Sequence, residues 1–174
     1  MPSQTSTLPP AMPPRHFTLV VLLCGFLALS LDVVALVSPA WVTSKHFSLS
    51  LWEICNQQYD AWHCRSVWHS DWQMASLVLV FCAALICGVW FIVCVLWICK
   101  VKQPLRFRNM SLLLLASVLL QISALLLFSL KFLAGKYLPP SSQFSWGYGL
   151  AWGSCIFMLG GVVLSCLRTD LIKE

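Results

Sequence analysis

The sequence predicts an all-α membrane protein, a bundle of four transmembrane helices that carries a small extracellular β-sheet. Two observations about composition support this fold class: 59% of the residues are apolar and only 10% are charged, and the mean hydropathy is +0.82. Soluble domains carry about 25% charged residues. A third observation, the division of the apolar residues into four long runs, gives the number of helices.

The four apolar runs cover residues 17–37, 74–99, 110–133 and 146–167. Each run has the length of about 20 residues that a helix needs to cross the hydrocarbon core of a bilayer. A β-barrel is excluded because barrel strands alternate in polarity over about 10 residues, whereas these runs are continuously apolar. The first run exceeds the apolar core of a cleaved signal peptide, about 7 to 15 residues, so we expect it to be retained as a membrane anchor.

The distribution of basic residues predicts the orientation. Four basic residues lie in the short segment 100–109, whereas the longer segment 38–73 carries two. By the positive-inside rule, segment 100–109 is a cytosolic loop and segments 38–73 and 134–145 are extracellular. Both ends of the chain, residues 1–15 and 169–174, are then cytosolic. The net charge of +5 is explained by these boundary positions, so no nucleic-acid partner is expected.

The nine cysteines divide into two groups. Seven fall within the apolar runs, which leaves Cys55 and Cys64 in the first extracellular segment. Two outward cysteines predict one disulfide bond, with a free reduced pair as the alternative. Cys99 and Cys166 lie at the cytosolic boundary and are candidates for palmitoylation, although buried thiols are equally ordinary.

The first extracellular segment has the pattern of a small sheet. Residues 47–51 alternate between apolar and polar side chains, which indicates a half-buried β-strand. This segment is also rich in tryptophan, a residue suited to the bilayer interface or to a protein surface. Trp41 and Trp72 flank apolar runs, so we expect them to anchor the chain at the membrane interface.

Asp32 lies inside the first apolar run and needs a partner, because an unpaired carboxylate in lipid costs several kcal/mol. With the predicted orientation, Lys131 in the third run lies at a similar depth. We therefore expect an Asp32–Lys131 ion pair inside the bundle, with Gln121 as the alternative partner. A proton pathway would require polar residues at several depths, so structural pairing is the favoured interpretation.

The fourth run contains Gly149 and Gly153, whose spacing allows two helices to approach closely. Packing within this chain's own bundle is the first interpretation, and self-association is the second. Under the second interpretation the protein would form a homo-oligomer, whereas the first requires none.

The first 15 residues hold five of the nine prolines. We expect a disordered, proline-rich tail. Pro10, Pro13 and Arg15 have the spacing of a ligand for SH3 domains, and a plain proline-rich tail is the alternative.

The polar residues give no pattern that is typical of an enzyme. The sequence lacks a His-Glu-x-x-His run, a glycine-rich phosphate loop and an ordered Ser, His and Asp set. The extracellular histidines and acidic residues have no diagnostic metal-ligand spacing. We therefore expect a non-enzymatic protein without catalytic residues, a metal site or a cofactor.

The first extracellular segment resembles a known family signature. Trp41, the pair Leu51-Trp52, Cys55 and then Cys64 match the pattern of the claudin, peripheral myelin protein and epithelial membrane protein superfamily. Further stretches, residues 38–43, 62–64, 70–73 and 146–153, are similar to its brain cell membrane protein branch. The resemblance implies a left-handed four-helix bundle topped by a sheet, a Cys55–Cys64 bond, and a Leu51-Trp52 pair that holds the sheet on the bundle.

The resemblance also implies a role at epithelial cell contacts. We expect a protein that organises or regulates adherens or tight junctions, together with membrane lipids, junctional membrane proteins and cytosolic scaffolds. An auxiliary subunit of a channel or receptor is the alternative, as is a growth-control or trafficking-control tetraspan of the epithelial membrane protein kind. The chain ends in Lys173-Glu174 rather than the apolar residue that a PDZ groove binds, so no PDZ partner is expected.

Overall fold

The computed structural model describes residues 14–59, 61–66, 68, 70–100, 107–134 and 142–171. In chain order, the elements are α1 (Pro14–Val37), β1 (Val42–Ser44), β2 (Phe47–Leu49), β3 (Glu53–Gln58), β4 (Ala61–Ser66), α2 (Asp71–Lys100), α3 (Phe107–Ala134), β5 (Gln143–Phe144) and α4 (Trp146–Leu171). The predicted fold class, four helices with a small sheet, is confirmed.

All four helices are long and apolar enough to cross a membrane, over Phe17–Val37, Asp71–Cys99, Met110–Ala134 and Trp146–Leu167. A spanning segment adopts this form because hydrocarbon offers no partners to free backbone groups, and a helix satisfies them internally. On α2, the exposed side chains recur every three or four residues, at Val78, Phe81, Leu85, Val89 and Ile92. This apolar stripe is the lipid-facing side of the helix.

The helices form one bundle in which the most extensive contacts are those of α1 with α4, α2 with α3, and α3 with α4. Small side chains allow these approaches: Ala28, Ala35, Ala83, Ala124 and Ala151 are almost completely buried. One buried cluster lies beneath the sheet and includes Trp41, Leu51 and Phe128. A second cluster, deeper in the bundle, is built around Trp90 and Met158.

The sheet is antiparallel, with the strand order β4-β3-β2-β1-β5. Its last strand, β5, immediately precedes α4 and pairs with β1, where Val42 lies opposite Phe144. The sequence did not predict β5, because a strand of two residues is too short to show an alternating pattern. This pairing brings the beginning of α4 against the sheet.

The strand predicted over residues 47–51 ends earlier, at Leu49. Ser50 turns the chain instead: its side-chain oxygen accepts hydrogen bonds from the backbone N–H groups of Trp52 and Glu53, at 3.1 and 2.9 Å. Serine is suited to such local turns because its side chain can replace a backbone partner. Leu51 then points into the core and is fully buried.

Candidate functional site

Two tryptophans of the sheet region, Trp41 and Trp52, attach the sheet to the last turn of α1. The indole N–H of Trp41 donates to the carbonyl of Ala35 at 2.8 Å, and the indole N–H of Trp52 donates to the carbonyl of Leu36 at 2.5 Å. Ala35 and Leu36 lie in the last turn of α1, where carbonyl groups have no partner within the helix. The two indoles therefore satisfy that turn and attach the sheet to it.

Aromatic rings extend this attachment to α3 and α4. The ring of Trp41 contacts those of Phe128 and Tyr148, with centroids 5.1 and 5.9 Å apart. Phe144 of β5 stacks on Tyr148 at 4.4 Å, and Trp72 packs on Phe128 at 5.7 Å. Such pairs contribute about 0.5 to 1.5 kcal/mol each beyond the area they bury. Together they make the sheet and the helices a single packed unit.

Trp41 is completely buried, which corrects the expectation that it anchors the chain at the membrane interface. Its ring is enclosed between the sheet and the bundle. The indole N–H therefore donates to the buried carbonyl of Ala35 rather than to lipid headgroups. Trp72 is half-buried and packs against the same cluster.

The predicted disulfide bond between Cys55 and Cys64 is confirmed. The two cysteines lie directly opposite each other in the β3–β4 register, which also pairs Gln57 with Trp62. Glu53 lies within 4.8 Å of both sulfurs. This grouping does not make a metal site, because metal ligation requires thiolates and both sulfurs are bonded to each other.

One face of the sheet is turned away from the bundle. Ile54 packs against the core cluster, so its neighbours along β3, Glu53, Cys55 and Gln57, point to the other face. Trp62 lies opposite Gln57 and is 53% exposed. We call this surface, made by Glu53, Gln57, Trp62 and the disulfide, the outer face.

The edge strand β4 contributes Trp62 and Cys64 to the outer face, and every residue in it is exposed. An edge strand presents unpaired backbone N–H and C=O groups to which a further chain can bind. Tyr59, in the turn between β3 and β4, is 94% exposed and adopts a left-handed backbone conformation with φ of 49°. The outer face and this edge form the candidate interaction surface.

The expected ion pair between Asp32 and Lys131 is wrong. Asp32 is fully buried and accepts a hydrogen bond of 2.8 Å from the side-chain N–H₂ group of Gln121, the alternative partner. Lys131 is exposed in the last turn of α3, ten residues beyond Gln121, which corresponds to about 15 Å along a helix. Depth estimated from residue counts placed Lys131 too near Asp32.

The glycine prediction also needs a correction. A side-chain carbon at Gly153 would make ordinary contact with Leu31 of α1, 3.5 Å away, whereas one added at Gly149 would meet no other part of the described chain within 4 Å. The close approaches occur elsewhere: Gly25 lies against the ring of Trp90, Gly147 against Ser38 and the carbonyl of Ala40, and Gly161 against Leu114. Within the described part of the chain, no neighbouring element therefore requires a glycine at position 149.

Two predicted sites lie at the end of the bundle that is opposite the sheet. Cys99, at the end of α2, and Cys166, near the end of α4, are both exposed. Of the residues with SH3-ligand spacing, Arg15 lies in the first turn of α1, and Pro10 and Pro13 lie outside the described residues.

Comparison with known proteins identifies the family. The profile described as the PMP-22/EMP/MP20/Claudin family matches residues 16–164, which is most of the chain. The chain belongs to this family. The superfamily predicted from Trp41, Leu51-Trp52 and the two cysteines is thus confirmed, and its members are generally non-enzymatic.

A curated relative of this PMP-22/EMP/MP20/Claudin protein is the p53 apoptosis effector related to PMP-22 from Danio rerio. It is 28% identical over 144 residues, which cover 80% of this chain and 77% of the relative. Likeness to the brain cell membrane protein branch stays a prediction.

The family signature predicted where the sheet is attached to the bundle but not all of the side chains that attach it. The sequence identified Trp41, Trp52 and the disulfide, whereas the roles of Phe128, Tyr148 and Phe144 were missed. These aromatic residues come from α3, α4 and β5, and their meeting point depends on how the helices pack. No local pattern in the sequence marks them.

Proposed function

We propose that this chain is a non-enzymatic tetraspan protein that organises or regulates cell–cell junctions through association of its sheet with other membrane proteins. One observation carries this proposal: every residue of the edge strand β4 is exposed, as is Glu53 beside it, on a sheet that two indole hydrogen bonds attach to the bundle. A surface that is already ordered loses little conformational freedom when it binds a partner.

The orientation belongs to the same proposal. Basic residues concentrate in segment 100–109 of the sequence. The helix ends on either side of it, Lys100 of α2 and Phe107 of α3, lie opposite the sheet. The positive-inside rule then favours a sheet outside the cell and both chain ends in the cytosol. With this orientation, the sheet faces neighbouring cells or neighbouring junctional proteins, and the chain ends face cytosolic scaffolds.

The test is the location of a C-terminally tagged full-length chain in confluent epithelial cells, before and after calcium removal separates the contacts. We expect enrichment at cell borders that disperses with the contacts. The variant Trp62→Ser should reach the surface but lose enrichment. Leu130→Ala is the control, since Leu130 is also exposed, at 65% against 53% for Trp62, but lies on a helix rather than on the sheet. An even distribution that ignores cell contact would contradict the proposal.

A second candidate comes from the Danio rerio relative, the p53 apoptosis effector related to PMP-22. The chain would then act in control of cell growth or death. Inducible expression at a graded level, with cell viability as the readout, separates the two functions. Death at low expression, without any dependence on cell contact, would favour this second candidate.

Diffuse surface staining with one co-purifying pore-forming protein would favour an auxiliary subunit.

A further inference from the structure

A groove lies where the end of the sheet meets the lipid-facing side of α2. It has a volume of about 270 Å³ and is lined on the sheet side by Trp52, Ser66 and Trp68, and on the helix side by residues that include Met74, Val78 and Phe81. We propose that this groove binds one acyl chain of a membrane phospholipid. The proposal concerns a lipid site and does not depend on the junctional function.

The depth of the groove fits one leaflet. On α2 the groove runs from Met74, where the apolar run begins, to Phe81, seven residues further on, which corresponds to about 10 Å of helix. The hydrocarbon core of a bilayer is about 30 Å thick, so the groove follows α2 through about a third of it and stays within one leaflet. At this depth, lipid tails are the molecules that surround the helix.

The groove is continuous with the surface that faces lipid. Val78 and Phe81 line the groove and are also 51% and 49% exposed, as the first members of the apolar stripe that continues to Leu85 and Val89. An acyl chain that lies along this stripe can therefore enter the groove sideways. The lining offers water few hydrogen-bonding groups, whereas an acyl chain makes dispersion contacts with both walls.

The rim of the groove suits the region just outside the hydrocarbon. Trp52 and Trp68 are 49% and 77% exposed, and indole rings favour the level of the lipid headgroups. None of the described residues that line the groove is charged. Recognition is therefore of the acyl chain, and we expect zwitterionic and anionic phospholipids to bind alike.

The size of the groove limits the ligand. Pockets that enclose a drug-sized molecule have about 300 to 1,000 Å³. The groove, at about 270 Å³, is below that range and is open along one side. A single chain fits such a space, with the rest of the lipid remaining in the leaflet.

The test uses the full-length protein in nanodiscs of phosphatidylcholine that contain a small fraction of phosphatidylcholine with a photoactivatable group in mid-chain. Crosslinked residues are located by mass spectrometry. We expect crosslinks to concentrate on the α2 wall of the groove, between Met74 and Phe81. Replacement of phosphatidylcholine by phosphatidylglycerol should leave the pattern unchanged.

The decisive variant is Val78→Trp, which fills the groove. Crosslinking at the groove should fall by about tenfold, which corresponds to about 1.4 kcal/mol of binding free energy. Val89→Trp is the matched control, because Val89 lies on the same stripe with 55% exposure but outside the groove. Both variants are checked for monodisperse elution and for the intact Cys55–Cys64 bond.

Two results would overturn the proposal. Even labelling along the whole stripe would show contact with bulk lipid only. Loss of the groove crosslinks on addition of an equimolar sterol would assign the groove to a sterol instead of an acyl chain.

Discussion

At the scale of single residues, Asp32 is the clearest departure from the apolar interior. It lies on α1 and is joined to Gln121 on α3 by a hydrogen bond of 2.8 Å. Ser154 of α4 donates to the carbonyl of Ala28 nearby, so three helices place polar groups at this level. The second carboxyl oxygen of Asp32 and the amide oxygen of Gln121 have no partner among the described residues. This level of the bundle is held together by a small number of polar contacts.

Replacement of Gln121 by Leu should lower the free energy of unfolding, because it leaves a buried carboxyl group without its donor. The double variant Asp32→Leu with Gln121→Leu should recover much of the lost free energy of unfolding, since neither side chain of the pair is then left buried without its partner. We expect a coupling energy of about 1 kcal/mol, the size found for hydrogen bonds between membrane helices. The measurement is a double-mutant cycle of unfolding in mixed micelles.

Ser123→Ala serves as the control for this cycle. Ser123 is two residues from Gln121, but its hydroxyl donates to the carbonyl of Leu119 in its own helix. Additive effects of the two single replacements would contradict a direct role for the Asp32–Gln121 contact.

At the scale of the elements, the contact between α1 and α2 depends on a missing side chain. Gly25 of α1 lies directly against the ring of Trp90 of α2, and Trp90 is almost completely buried. An added methyl group at Gly25 would overlap this ring. Because the ring is packed within the deeper core cluster, it cannot move far without disturbing that cluster.

The variant Gly25→Ala should therefore destabilise the bundle by about 1 to 3 kcal/mol, the usual cost of overpacking. Gly160→Ala is the matched control: Gly160 is also within a helix, but no atom lies within 4 Å of the added carbon. That replacement should be neutral, or stabilising by up to about 1 kcal/mol through helix propensity. Thermal unfolding in detergent, followed by tryptophan fluorescence, compares the two. Equal stability of both variants would rule out the steric role of Gly25.

At the scale of the whole molecule, the two ends of the bundle differ in character. One end carries the sheet, the disulfide and the outer face. The opposite end carries the exposed thiols of Cys99 and Cys166 at the ends of α2 and α4. With the proposed orientation these two cysteines face the cytosol at the membrane boundary, where cysteines are acylated.

Metabolic labelling with an alkyne analogue of palmitate should therefore modify the wild-type protein. The double variant Cys99→Ser with Cys166→Ser should lose the label, whereas Cys82→Ser should keep it, since Cys82 lies in mid-span on α2. Retention of the label by the double variant would place the modification elsewhere.

The sequence by itself determined the features that depend on local chemistry. The four spans follow from the length of each apolar run, and the disulfide follows from the two cysteines that remain outside those runs. The importance of Trp41 and Trp52 was evident from the family signature, but their hydrogen bonds to α1 were not.

The tertiary structure decided which groups meet across elements. Gln121 rather than Lys131 joins Asp32, and Gly25 rather than Gly149 permits a close approach. The physical reason is that an apolar run fixes the length of a helix but leaves its rotation and axial position free. Those two quantities are set by side chains on neighbouring helices, which come together only when the bundle packs.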